Sequence, residues 1–131
     1  MDYNKSIEDI EHILLDLQEE NKSIPILVEG DKDILALRKL GLAGTIISIN
    51  KGKSLSDFCD GLARDYKDII ILTDWDKKGG YISHVIRKNL EGRVNCSMKY
   101  REFFAKNTMT RTVEGIPSWI ETIKKKVDKN I

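Results

Sequence analysis

Two apolar runs in this chain each end directly in a cluster of carboxylates. The run Ile26–Val28 leads into Glu29, and the run Ile69–Leu72 leads through one threonine into Asp74 and Asp76. Short runs rich in β-branched residues and bounded by polar residues predict buried strands. If these two strands are neighbours in a parallel sheet, their carboxylates meet at its carboxyl edge, where open α/β folds place their ligands.

The spacing of the second cluster favours a metal ion. Asp74 and Asp76 are separated by one residue just past a strand, where alternate side chains point the same way, so both can reach one hard cation. Mg²⁺ suits such a site because it keeps several waters and takes one or two carboxylates together with substrate phosphate, and Mn²⁺ is the alternative. Glu29 would be costly to bury unpaired. We therefore expect it to complete the ligand set or to handle protons.

Segments with helical and strand patterns alternate along the chain. Apolar residues at helical spacing predict an amphipathic first helix over 6–20, and Thr45–Ile49 has the β-branched composition of a second strand. After the second acidic cluster, Gly80–Leu90 is predicted as a helix and Arg93–Cys96 as a short strand. Alternation of this kind predicts a parallel sheet with right-handed crossovers. If the first and third strands share a metal, the simplest order is 2-1-3-4. We expect one domain over 1–131, with a helical extension from about 99 to 131.

Three glycines lie beside the acidic clusters. Gly30 follows Glu29 directly and is expected to let the chain turn into a helix, while Gly79 and Gly80 are expected to allow close backbone approach to a bound group. Asp33 lies three residues after Gly30. Its position in the first turn of a predicted helix is itself favourable for an acid, whatever the function.

A strand ending in Glu29-Gly30, followed by a later strand ending in Asp74-x-Asp76 and glycine, resembles the Toprim domain of bacterial-type primases, topoisomerases and the ribonuclease that matures 5S ribosomal RNA. The resemblance covers roughly 24–94 and is greatest to small stand-alone Toprim proteins of archaea. It implies an α/β, Rossmann-like Toprim fold with a parallel sheet of about four strands flanked by helices. It also implies that Glu29 is the catalytic acid or base and that Asp74 and Asp76 bind Mg²⁺.

Asp33 and Lys78 bear on whether the resemblance implies a second metal ion. Asp33 matches an acid often found after the family's glycine, which implies a supporting or second-metal role. Lys78 stands where topoisomerases often carry another acid, so the resemblance does not imply a second metal. The separate domain that supplies the topoisomerase tyrosine has no counterpart in the sequence, which argues against relaxation of DNA by this chain alone.

Basic residues follow three of the predicted strands, at the edge where the carboxylates are expected. The pairs are Lys51 and Lys53, Lys77 and Lys78, and Lys99 and Arg101. Cations at this edge would hold phosphates against the acidic centre. Because 33% of the chain is charged and its formal net charge is only +1, ordinary solvated surface residues are the alternative.

The leading functional hypothesis is Mg²⁺-dependent phosphotransfer on nucleic acid, most simply a nuclease that uses metal-activated water. One alternative is a non-catalytic nucleic-acid-binding or assembly module with protein partners in DNA or RNA processing, and another is a primase-like subunit. The partner would be RNA or DNA. No apolar run approaches the roughly 20 residues that span a bilayer and no signal peptide is recognisable, so we expect a cytoplasmic protein without a membrane partner. Cys59 and Cys96 are expected to be free thiols.

Overall fold

The computed structural model describes residues 2–49 and 52–129. Within them, helices and strands alternate from the first helix to the fourth strand, and two helices follow. The elements are α1 (Tyr3–Asn21), β1 (Ile26–Val28), α2 (Asp31–Lys39), β2 (Ile46–Ser48), α3 (Leu55–Asp65), β3 (Asp68–Ile71), α4 (Lys77–Leu90), β4 (Asn95–Ser97), α5 (Lys99–Asn107) and α6 (Ile116–Lys129).

The four strands form a parallel sheet in the order β2-β1-β3-β4, which confirms the predicted order. In the central pairing Ile26 lies opposite Ile70, and Leu27 lies opposite Ile71. The chain crosses from β1 to β2 on one side and from β3 to β4 on the other. The carboxyl ends of β1 and β3 therefore meet at a topological switch point, where such folds bind ligands.

Helices cover both faces of the sheet, which explains why the central strands β1 and β3 are continuous apolar runs rather than alternating ones. On one face, Val28 and Leu72 pack in a buried cluster with residues of α1, α2, α5 and α6. On the other face, Leu27 and Ile71 pack with residues of α3 and α4. The strands are thus held by two separate apolar clusters, one on each face of the sheet.

Three of the boundaries that differ from the sequence prediction are explained by hydrogen bonds at the ends of the elements. The first helix starts at Tyr3 instead of near Ser6, because the carboxylate of Asp2 accepts a hydrogen bond from the Lys5 amide at 3.1 Å and caps it earlier. The fourth strand starts at Asn95 instead of Arg93, since the amide of Val94 is still bonded to the carbonyl of Leu90 in the turn after α4.

The third difference is at α4, which begins at Lys77 instead of Gly80. Two glycines weaken helix propensity there. The cap supplied by Asp76 outweighs that penalty, because its carboxylate accepts a hydrogen bond from the Gly79 amide at 2.7 Å. Cys59 and Cys96 are free thiols, as the sequence predicts. In the parts of the chain that the structure describes, no helix is long and apolar enough to cross a membrane.

Gly79 is the residue that lets α4 start so close to the strand end. A Cβ atom built on Gly79 would lie 1.8 Å from the carbonyl oxygen of Asp74, whereas one on Gly80 would lie 3.6 Å from the Arg101 guanidinium, an ordinary contact. We expect Gly79→Ala to lower the free energy of unfolding by about 1–3 kcal/mol or more, because backbone must move. The matched control Gly80→Ala should be neutral or stabilising by up to about 1 kcal/mol. Urea denaturation midpoints measure both, and equal effects would contradict the close approach at Gly79.

Candidate functional site

Glu29 and Asp74 are joined directly at the ends of β1 and β3. In the ladder between these strands, the Ile70 amide donates to the Pro25 carbonyl and the Leu72 amide to the Leu27 carbonyl. The next donor is the amide of Asp74, which bonds to the Glu29 side chain at Oε2, at 2.8 Å. The Glu29 carboxylate thus takes the place of the next backbone carbonyl in the ladder. Where the strands separate, this bond fixes the two acidic residues side by side.

The loop that carries Asp74 is held from two further directions. Its carbonyl oxygen accepts hydrogen bonds from Arg101 of α5, at 2.8 Å from Nη2 and 3.3 Å from Nε. Its carboxylate accepts one from the amide of Val113 at 2.9 Å, through Oδ1. Arg101, expected among the phosphate-binding cations, therefore supports the loop through its backbone. The position of the Asp74 carboxylate depends on α5 and on the segment before α6 as well as on β3.

Asp76 and Asp33 each use a carboxylate oxygen at a helix start. Asp76 caps α4 through Oδ1, as described above. Asp33 is 7% exposed and accepts a hydrogen bond from the Gly30 amide at 3.1 Å, in the first turn of α2. Gly30 itself has φ −154° and ψ 177°, and a Cβ atom there would meet nothing within 4 Å. The helix start thus does not itself require glycine, and the space beside Gly30 is open.

An open cavity of about 550 Å³ lies in front of these residues. Glu29, Asp33 and Asp74 line it, together with Lys78 from the first turn of α4. The lining also includes Glu114, which precedes α6 and which sequence reasoning did not single out, since it follows no strand. The complete set is Glu29, Gly30, Asp31, Lys32, Asp33, Ile49, Asp74, Lys78, Ile82 and Glu114.

Four other residues predicted for the site, Lys53, Lys77, Gly79 and Gly80, do not line this cavity. Lys53 and Lys77 are exposed, Gly79 is buried behind the Asp74 loop and Gly80 is half-buried beside Arg101, while Lys51 lies outside the described residues. Trp75, between the two aspartates, stacks on Phe104 with ring centroids 5.8 Å apart and donates from its indole to the Thr110 carbonyl at 2.6 Å. It is a packing residue.

Burial and mutual repulsion act together on the acids of the cavity. Burial is the largest cause that raises the pKa of Glu29, and the charges of Asp74 and Asp76 add to it, against the hydrogen bond from the Asp74 amide and the charge of Lys78. Burial likewise raises the pKa of Asp74, and the charges of Asp76 and Glu114 add to it. The pKa of Asp33 is raised by burial and then by the charge of Asp74. Negative charge is therefore concentrated where a cation would relieve it.

The donor set fits a hard cation by its chemistry. The protein hydrogen bonds described above engage Oε2 of Glu29 and Oδ1 of Asp74 and Asp76, so each carboxylate has a second oxygen for another partner. Carboxylate oxygens are the ligands that Mg²⁺ takes in protein sites. Among the described residues, however, no three Asp, Glu, His or Cys side chains converge closely enough to hold a metal ion on their own. The three-carboxylate ligand set therefore stays a prediction.

Comparisons with known proteins agree with this architecture. The family model described as "Toprim domain" matches residues 24–106. UPF0292 protein TV1259 of Thermoplasma volcanium is 39% identical over 112 residues, which cover 85% of this chain and 92% of that protein. UPF0292 protein MJ1624 of Methanocaldococcus jannaschii is 32% identical over 122 residues, covering 90% and 91%.

A solved structure described as a putative protein from Aquifex aeolicus is also similar. Its TM-score is 0.64 at 26% sequence identity, covering 73% of this chain and 88% of that chain. Toprim domains are associated with nucleic-acid-related functions and typically bind Mg²⁺. These matches agree with the strand order and with the carboxylates at the ends of β1 and β3. The chain belongs to the Toprim family and resembles the UPF0292 proteins.

Proposed function

We propose that the chain is a Mg²⁺-dependent phosphotransfer enzyme acting on nucleic acid, and specifically a nuclease. Asp74 and Asp76 hold the metal, with Mn²⁺ as a substitute, and Glu29 acts as the acid or base. The observation that supports this most strongly is the hydrogen bond from the Asp74 amide to the Glu29 carboxylate at 2.8 Å. It fixes two carboxylates of raised pKa at the mouth of an open cavity large enough for a phosphodiester.

The chemistry divides between the metal and the side chains. A bound Mg²⁺ orients the phosphate and offsets the negative charge that develops during its transfer. Water attacks the phosphorus, the bond to the leaving oxygen breaks, Glu29 takes the proton of the attacking water and the leaving oxygen takes one from solvent. Glu29 suits this role because its carboxylate lines the cavity beside Asp74, and the Asp74 amide holds it through one oxygen, Oε2.

Asp33 and the lysines complete the proposal. The cavity position of Asp33 supports a role beside the metal in addition to its capping bond. Lys78 lines the same cavity and Lys77 precedes it at the start of α4, where cations and a helix N-terminus together favour phosphate. Lys53 and Lys51 follow β2 in sequence, and phosphate binding by them stays a prediction. We also propose that the helices outside the matched range belong to one domain with the sheet, since α1 and α6 pack in its apolar cluster.

Metal binding is tested by the double variant Asp74→Asn with Asp76→Asn. An asparagine oxygen can accept the same hydrogen bonds from Val113 and Gly79, and asparagine caps a helix as well as aspartate. We therefore expect calorimetric affinity for Mg²⁺ and Mn²⁺ to be lost while circular dichroism and thermal melting show a folded protein. Asp57→Asn, an exposed acid in the first turn of α3, is the matched control. Unchanged affinity in the double variant would remove both residues as ligands.

Catalysis is tested by Glu29→Gln, whose amide oxygen can still accept from the Asp74 amide but takes up no proton near neutral pH. With labelled structured RNA, single-stranded DNA and duplex DNA, we expect metal-dependent cleavage to fall by about 10²–10⁴ while metal and nucleic acid still bind. Recovery of activity at high Mg²⁺ would instead identify Glu29 as mainly a ligand. Binding by the wild-type chain without cleavage of any substrate would favour the non-catalytic module.

The crowded carboxylates also predict how the metal-free protein responds to pH. The ordinary pKa is 4.5 for Glu29 and 3.8 for Asp33 and Asp74, and all three are raised in the folded chain. The folded protein thus binds more protons than the unfolded one, so its free energy of unfolding falls as pH rises from these ordinary values through the raised ones. In urea titrations with chelator, Asp74→Asn should flatten this fall, because it removes one raised group and the charge that raises the others. An equal slope in the variant would contradict the assigned repulsion.

A further inference from the structure

We infer that the outer face of α4 is a docking surface for single-stranded nucleic acid. This surface selects the class of substrate that reaches the proposed active site, so the inference rests on the proposed function. The surface consists of Lys77, Tyr81, His84 and Lys88, here called the α4 stripe. These positions are four, three and four residues apart, a spacing that places side chains along one face of a helix. All four are exposed, while Ser83, Ile86 and Leu90 on the opposite face are buried.

Among residues 2–49 and 52–129, the lysines of the α4 stripe take part in no ion pair. In the parts of the chain that the structure describes, the ion pairs of lysine and arginine involve Lys5, Lys22, Arg64 and Arg93, none of which belongs to the stripe. Lys78 flanks the stripe on the cavity side, and Arg87 flanks it beside β4, where it lines a second open cavity together with His84 and Lys88. Glu91 follows at the end of the helix and also lines that cavity. The stripe thus offers cations to phosphates along the length of α4, about 20 Å at 1.5 Å per residue.

Tyr81 gives the α4 stripe its selectivity for single strands. Its side chain is 68% exposed, and it is the aromatic residue among the large hydrophobic side chains that the structure leaves exposed. Trp75, the other candidate for stacking on a base near the site, is engaged with Phe104 and Thr110. Aromatic side chains between cations bind single strands by stacking on unpaired bases, whose faces a duplex keeps covered. An exposed tyrosine in the middle of a basic stripe therefore fits a single strand.

The stripe is continuous with the proposed active site. Asp76 caps the helix whose first residue is Lys77, so the stripe begins next to a proposed metal ligand. Lys78, one residue further, already lines the carboxylate cavity. A strand that follows the stripe toward the N-terminus of α4 therefore brings its backbone to Asp74 and Asp76.

The test measures binding without cleavage. Fluorescence anisotropy in chelator compares fluorescein-labelled single strands of DNA and RNA with the corresponding duplexes. The variants are Tyr81→Ala, Tyr81→Phe and the pair Lys77→Ala with Lys88→Ala. The matched charge control is Lys106→Ala with Lys125→Ala, two exposed lysines of α5 and α6, whose helices pack on the other face of the sheet.

We expect wild type to prefer single strands, and Tyr81→Ala to weaken that binding about 5- to 150-fold while Tyr81→Phe keeps it. The Lys77 and Lys88 pair should reduce the slope of log affinity against log salt by about 1.4, and the control pair should leave it unchanged. Equal affinity for duplexes, or an unchanged affinity in Tyr81→Ala, would overturn the inference even if cleavage is found. Tyr81-dependent binding in a chain that cleaves nothing would support the surface and reject the nuclease proposal.

Discussion

The pairing of β1 with β3 is the interaction on which the site depends. Leu27 opposite Ile71 sets the register, and the bond from Leu72 to Leu27 is the last backbone bond of the ladder before the carboxylates. The next amide in the series, that of Asp74, donates a hydrogen bond to the Glu29 side chain instead of a backbone carbonyl. A slip of one residue would move the apolar side chains of the slipped strand to the opposite face of the sheet. The two apolar clusters therefore fix the register, and with it the positions of the acids. Core packing thus positions the polar site, although it contributes no atom to it.

Placing several carboxylates in one partly buried cavity is unfavourable on its own. Backbone amides offset part of this cost: each of Glu29, Asp33, Asp74 and Asp76 accepts at least one. The half-buried guanidinium of Arg101 also interacts with these acids: burial lowers its pKa, whereas the charges of Asp76, Glu29 and Asp74 raise it. It binds the loop through backbone carbonyls, so the free carboxylate oxygens are not consumed by an ion pair. A site built in this way keeps its acids in place and still favours a cation from solution.

Local sequence patterns account for the sheet but only partly for the site. The apolar runs identified the strands, and the requirement that two carboxylate clusters meet was enough to give the strand order. The sequence prediction starts α4 at Gly80, whereas the cap from Asp76 lets the helix begin at Lys77 despite the two glycines of its first turn. Val113, Glu114 and the supporting contacts of Arg101 were not predictable in the same way. Their positions depend on how α5 and α6 pack against the sheet. The apolar periodicity of these segments predicts helices but does not indicate a contact with the Asp74 loop.

The start of α4 joins the site to the surface beside it. Gly79 lies so close to the Asp74 carbonyl that a Cβ atom would not fit, and the Thr73 hydroxyl donates to the Gly79 carbonyl at 2.9 Å. The carboxylate of Asp76 then holds the first turn from the other side. The helix therefore cannot shift relative to Asp74 and Asp76 without breaking these contacts. Any ligand that binds along α4 is held in a defined position relative to the carboxylates, which is the geometric requirement for delivering one phosphate of a chain to a fixed acidic centre.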